Sequence, residues 1–197
     1  MEEEKFKMPQ IAFNKWPLDL VLDYVLKLHH RLIREHGPRL QALVLQLSFD
    51  ECRLKPVADA YNKSLNQLTR HLLTEERELF PYLYQLSEAE RMHRHISAIH
   101  GGSVSHPIKR IKQEHEEAFN NLLEVYEKAN SYNPPADASE EYINVLKELR
   151  IYHNNLLEHM YLEDDLLFPR AYELEKKWVV ANEEGWQVKN PYLENVK

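Results

Sequence analysis

An all-α protein, folded as an up-down-up-down four-helix bundle, is predicted by three observations. Only four glycines occur in 197 residues. Leu, Glu, Lys and Ala are plentiful and apolar residues recur at three- and four-residue spacings, the pattern of helices with one buried face. A helical phrase also occurs twice: residues 71–86 read HLLTEERELFPYLYQL and residues 159–174 read HMYLEDDLLFPRAYEL, an offset of 88 residues. His71, Glu75, Leu79, Phe80, Pro81, Tyr84 and Leu86 return as His159, Glu163, Leu167, Phe168, Pro169, Tyr172 and Leu174. The repeat makes the second and fourth helices equivalent and leaves the first and third as the other pair.

Residues 1–15 read as an irregular lead-in, residues 16–177 as the bundle and residues 178–197 as a tail. Pro17 suits a first helical turn, where its missing N–H costs little. Helix one is expected from about 17 to 49, with Leu18, Val21, Leu22, Val25, Leu28, Leu32 and Ile33 inward and a kink at Gly37-Pro38. Pro56 opens helix two, which carries Val57, Ala60, Tyr61, Leu65, Leu68 and Leu72 and ends near residue 86. Residues 87–106 hold Gly101-Gly102 and lack a long apolar stripe, so they read as a connection. Pro107 reopens a helical pattern through Ile108, Ile111, Ala118, Phe119, Leu122, Leu123 and Tyr126, until SYNPPADAS at 131–139 interrupts it. Ser139 followed by Glu140 and Glu141 is a start signal for helix four, which runs to about 177. No segment reads as a strand, and Trp178, Trp186 and Tyr192 in the tail are expected to cover one bundle end.

Charge and composition exclude several functions. A formal net charge of −7 argues against nucleic acid as a partner, since phosphate binding calls for clustered Lys and Arg. Lys109, Arg110 and Lys112 read as a solvated helix surface. The start MEEEKFKMPQ lacks an apolar signal core, and no apolar run approaches the roughly 20 residues that span a bilayer, so no membrane partner and a cytoplasmic protein are expected. Cys52 is the one cysteine, which rules out an intramolecular disulfide and a thiolate-built metal site. Any metal must be held by nitrogen and oxygen.

The repeat supplies such donors. An i, i+4 spacing turns about 40° around a helix and rises about 6 Å, so His71 with Glu75 and His159 with Glu163 can each converge on the bundle interior. One such pair alone would be an ordinary surface pair worth a few tenths of a kcal/mol. Two copies with the same Leu-Phe-Pro continuation point to chemistry instead. Imidazole with carboxylate suits iron, manganese or zinc, and a carboxylate can bridge two cations. His30, after the apolar run LVLDYVLKL, and His115, in IKRIKQEHEEAF, add a nitrogen each from helices one and three. His29 points about 100° away from its neighbour, so only one of the two can face the centre, and His30 is chosen. His36 and His153 fall off the ligand face, and His93, His95, His100 and His106 belong to the exposed connection. Leu79-Phe80 and Leu167-Phe168 read as core, and Pro81 and Pro169 as residues that kink or end the helix beyond the site.

In their order, LDYVLKLHH, RHLLTEERELFP, HPIKRIKQEHEEAF and LLEHMYLEDDLLFP resemble the hemerythrin-like di-iron family, specifically its repair of iron centres group, over about residues 17–175. The resemblance implies two iron ions in a non-haem di-iron centre, oxo-bridged in some forms, held by His30, His71, Glu75, His115, His159 and Glu163, with the two Glu as bridges. Members often carry a further His near the end of the first helix. This chain reads LSFDECRL there, so Glu51 either replaces that imidazole as a ligand or is an ordinary exposed Glu. The short cysteine-bearing domain of many members has no counterpart before Trp16-Pro17-Leu18, so functions needing those thiols are not expected. The implied function is repair of iron-sulfur clusters damaged by nitric oxide or oxidation, with damaged iron-sulfur proteins as partners. The alternative is reversible binding or sensing of dioxygen or nitric oxide, with Leu79, Phe80, Leu167 and Phe168 lining the gas pocket.

Overall fold

The computed structural model describes residues 12–100 and 102–180. Four long helices make up the body: α1 (18–47), α2 (55–92), α3 (Ser105–Lys128) and α4 (140–178). Trp186 and Tyr192 lie outside the described residues. No helix among the described residues is long and apolar enough to cross a membrane.

The buried residues form two apolar clusters, one around Tyr61, Leu65, Leu122 and Tyr152, the other around Leu22, Leu83, Ile108 and Phe168. Along α1 the second cluster comes first and the first follows; along α2 the order reverses, and it reverses again in α3 and α4. This alternation is the up-down-up-down topology. α1 packs on α2 and α4, α2 on α3, and the C-terminal halves of α2 and α4 meet. Between the clusters every helix places polar buried side chains at one level: His30, His71, Glu75, His115, His159 and Glu163.

Three helices widen into a π-turn at that level, over Val25–His30, Glu75–Leu79 and Leu162–Leu167. Such single-turn insertions concentrate at functional sites. The sequence reading expected Pro81 and Pro169 to kink or end their helices, yet α-helix resumes at Phe80–Met92 and Phe168–Trp178. Each proline lacks an N–H for the carbonyl four residues back, and the wider turn directly before it lets the chain continue. The turn in α1 also changes register: Leu28, expected inward, is exposed, while His29 and His30 are both buried.

Other boundaries shift for local reasons. α2 runs to Met92 instead of 86 and stops where His93 takes a left-handed conformation (φ 51°), with Arg94 N–H bonding Ala89 O at 3.0 Å. α1 stays helical through Pro38, and at Gly37 it comes so close to α2 that a Cβ there would stand 2.6 Å from Leu65 Cδ1. Ser139 caps α4 as its sequence suggests, its hydroxyl accepting the Tyr142 N–H at 3.1 Å. Although no strand was expected, a two-residue parallel ladder pairs β1 (Ile96–Ser97) with β2 (Val179–Val180) and ties the α2–α3 connection to the end of α4. There Trp178 is buried, its indole N–H bonds Glu90, and His93 and His95 lie against its ring.

Candidate metal centre

Four imidazole Nε2 atoms and two carboxylates converge in two sets of four donors, His30, Glu75, His159, Glu163 and His71, Glu75, His115, Glu163. Within each set the donor atoms lie within 4.8 Å of one another. Glu75 turns Oε2 toward His30 (3.4 Å) and His159 (3.9 Å), and Oε1 toward His71 (3.3 Å) and His115 (3.7 Å). Glu163 does the same, with Oε1 facing His159 (2.9 Å) and His30 (3.6 Å) and Oε2 facing His115 (3.1 Å). Each carboxylate therefore gives one oxygen to each set, the arrangement of a bridge.

The spacing fits cations. Four ligands at bond lengths near 2.1 Å around a tetrahedral ion stand about 3.4 Å apart, in the middle of the range seen here. Both Glu side chains are fully buried, and none of their four oxygens accepts a well-formed hydrogen bond. Burying two such carboxylates costs several kcal/mol each unless charge compensates, and a cation in each set would do so. The residues fit a pair of metal ions.

In the metal-free site protons are unevenly shared. Burial and the nearby Glu163 push the Glu75 carboxyl up. Burial also opposes the charge of Glu163, but His159, His115 and His30 hold it well below the carboxylate range. His30 and His115 are pushed up to about 9 and about 12: burial opposes their charge, but Glu163 and Glu76 around the first, and Asp164, Glu163 and Glu75 around the second, outweigh it. Burial drives His159 down to about 3.

Behind the donors stands a layer the sequence reading missed. His30 Nδ1 bonds Glu76 Oε1 at 2.8 Å, His71 Nδ1 bonds Glu114 Oε2 at 2.8 Å, and His115 Nδ1 bonds Asp164 Oδ2 at 3.0 Å. An Nδ1–H held by a carboxylate leaves the Nε2 lone pair directed inward and raises its basicity. Arg34 bonds Glu76, Arg110 lies 4.0 Å from Glu114, and Lys112 lies 3.7 Å from Asp164. Arg110, which bonds Glu78, and Lys112 are well exposed, in keeping with the solvated helix surface read from sequence. A signal existed: an acidic residue adjoins a donor in Glu75-Glu76, Glu114-His115 and Glu163-Asp164, and the 100° turn between neighbours carries it to the next helix.

Aromatic rings back the donors as well, with Phe80 stacked on His30 (5.3 Å) and Phe168 on His115 (6.1 Å). These phenylalanines, with Leu79 and Leu167, are packed in the core. An open groove of about 650 Å³ between α3 and α4 reaches His115 and Asp164 and is lined by Phe119, Leu157 and Tyr161 instead. Phe119 is exposed on this side.

The remaining candidates lie apart from the donor sets. Glu51 precedes α2 at the far end of the bundle, where it bonds Arg53 at 3.0 Å. His36 pairs with Glu148 at 3.1 Å, and His153 Nδ1 lies 2.9 Å from the Tyr132 hydroxyl. His93, His95, His100 and His106 are exposed and join no metal-ligand group among the described residues. His29 is fully buried between Tyr24 and His159.

Residues 21–171 match the family model described as hemerythrin HHE cation binding domain. The chain is similar to a probable iron-sulfur cluster repair protein of Haemophilus influenzae, 28% identical over 156 residues, which are 77% of this chain and 64% of the relative. It is similar also to the iron-sulfur cluster repair proteins YtfE of Pectobacterium atrosepticum (28% over 159 residues, 79% of this chain and 66% of the relative) and Escherichia coli O81 (26% over 179 residues, 87% and 76%). The match to the first two thus spans just under two thirds of their length. Four helices that bring two carboxylates and four imidazoles to one level, over the span of that model, make this chain a member of the hemerythrin HHE cation-binding family.

Proposed function

We propose that this protein holds two iron ions, one in each donor set, with Glu75 and Glu163 as bridges, and that the centre serves the repair of damaged iron-sulfur clusters in the cytoplasm. The observation that carries the reading is the sharing of both carboxylates, one oxygen to each pair of imidazoles. The names of the relatives support repair as the task. Iron bound there supplies redox chemistry and is also the cargo a broken cluster needs. The chain's own part is to hold and to let go: imidazole and carboxylate donors release a metal when protonated, whereas thiolates, absent from this site, would hold softer ions tightly. Glu51, paired with Arg53, has no part in this reading.

The test is metal content and absorption of protein purified without chelators, followed by incubation with an iron-sulfur hydratase inactivated by nitric oxide. About two irons per chain and regained hydratase activity are expected from a two-ion site with this task. Iron-free protein, or loaded protein that restores no activity, would overturn the reading. The α3–α4 groove, which leads from solvent to His115, favours a second reading in which dioxygen or nitric oxide binds reversibly. A spectrum that changes and recovers with the gas, without hydratase rescue, would select it.

A further inference from the structure

The two donor sets are alike in their inner atoms and unlike in what stands behind them. His71 and His115, the imidazoles of one set, are both held from outside by a carboxylate, Glu114 and Asp164. In the other set His30 is held by Glu76, but His159 Nδ1 is buried without a hydrogen-bond partner. Its neighbour there is His29, whose ring stacks on that of His159 at 6.1 Å and 29°. His29 is itself fully buried, with neither ring nitrogen hydrogen-bonded. Stacked rings offer no N–H to a lone pair, so no partner at Nδ1 sets the tautomer of His159, and its contacts are the inner ones at Nε2, with Glu163 Oε1 at 2.9 Å. Glu158, the acidic neighbour that might have served, lies against Tyr24 instead.

Partners behind a ligating imidazole set its orientation and basicity, and their loss costs about 10–100-fold in metal affinity. Resting on the two-iron reading above, we propose that the His30/His159 position is the one that exchanges its metal, with His159 as the ligand that lets go, while the His71/His115 position is retained. Access would argue the other way, because the groove opens beside His115. A metal leaves only after its ligands do, however, and His115 is held by Asp164 at the floor of that groove. The duplicated phrase becomes functionally unequal, since Glu114 stands behind His71 and no acid stands behind its equivalent His159.

The experiment is chelator competition on the full iron-loaded chain, followed by stopped-flow absorbance of the ferrous-chelate complex. Two phases of equal amplitude are expected, their rates separated by about tenfold or more. Asp164→Asn, which takes the charge from the brace of His115 on a partly exposed side chain, should speed the slow phase by about tenfold and leave the fast phase unchanged. His159→Ala should keep only slowly released metal, and His115→Ala only rapidly released metal. Two irons leaving in a single phase, an Asp164→Asn protein with both rates unchanged, or the reverse order in the single-position variants would overturn this inference and leave the two-iron reading standing. A chain that binds no iron would overturn both.

Discussion

Replacing Glu163 by Gln in the metal-free protein should cost about 3 kcal/mol or more, while Glu75→Gln should cost about 1 kcal/mol or less. The two carboxylates are equivalent toward metal but not toward the protein. Glu163 has imidazole nitrogens at 2.9 and 3.1 Å, whereas the nearest to Glu75 are at 3.3 and 3.4 Å. Glu163 is correspondingly held low and Glu75 pushed up. At neutral pH His30 and His115 carry protons, so an amide at 163 takes away the fully buried carboxylate that faces both, leaving them Glu76 and Asp164, a loss at the lower end of the roughly 3–5 kcal/mol that removing one member of a buried pair costs. An amide at 75 gives up less, because burial and Glu163 already oppose the charge of that carboxyl. Because the Glu163 carboxyl is depressed, its contribution is present above the ordinary carboxylate range and fades as pH falls through its lowered value. Chelator-stripped proteins would be unfolded with urea and by heating at pH 7, followed by circular dichroism. For a chain of this size the larger loss corresponds to a melting point lower by about 6–12 °C. Equal losses for the two variants, or a larger one for Glu75→Gln, would refute the assignment of charge. As an internal control, both variants should lose bound metal, because each substitution replaces one of the two shared oxygens by an NH2 that cannot ligate and removes the carboxylate charge from both donor sets.

Three further outcomes follow from single observations. Ser139→Ala removes the cap on Tyr142 N–H and should lower stability by about 1 kcal/mol, seen as a fall of about 2–4 °C in melting temperature. Gly37→Val pushes a Cβ into Leu65 at the α1–α2 crossing and should cost about 2 kcal/mol in urea unfolding, whereas Gly37→Ala, which gains up to about 1 kcal/mol of helix propensity, should cost less. Since His30 and His115 are raised to about 9 and about 12, both are protonated in the metal-free protein at pH 7 and must be neutral to bind metal. Metal uptake at pH 7 should therefore expel about two protons, measured by calorimetry in buffers of different ionisation enthalpy, and affinity should weaken as pH falls. Uptake with no proton release would contradict the raised values.

Much of the site was legible because its chemistry repeats at helical spacing. His71-Glu75 and His159-Glu163 stand out as two copies of one phrase, and His30 and His115 follow from requiring donors of the other two helices. The choice of His30 over His29 agrees with the geometry, since His30 Nε2 points to the centre and His29 lies between Tyr24 and His159. Glu51 rested on position along the chain alone, and the structure sets it beside Arg53, away from the donors. The π-turns left no periodic trace except their prolines, and the one in α1 lacks even that. Leu28 was misplaced for this reason, because one wide turn moves every later residue around the helix.

The sequence by itself determined the helices, their alternating order and the six inward donors. Those follow from the 3.6-residue period and from a repeat that no packing requirement alone would impose. Tertiary structure decided which oxygen of each Glu faces which imidazoles, which acids stand behind the histidines, and that His159 has none. Most of those relations join residues 40 or more positions apart on different helices, and their geometry depends on the rotation of each helix about its own axis. Local propensity leaves that rotation open; packing of the two apolar clusters on either side of the site fixes it.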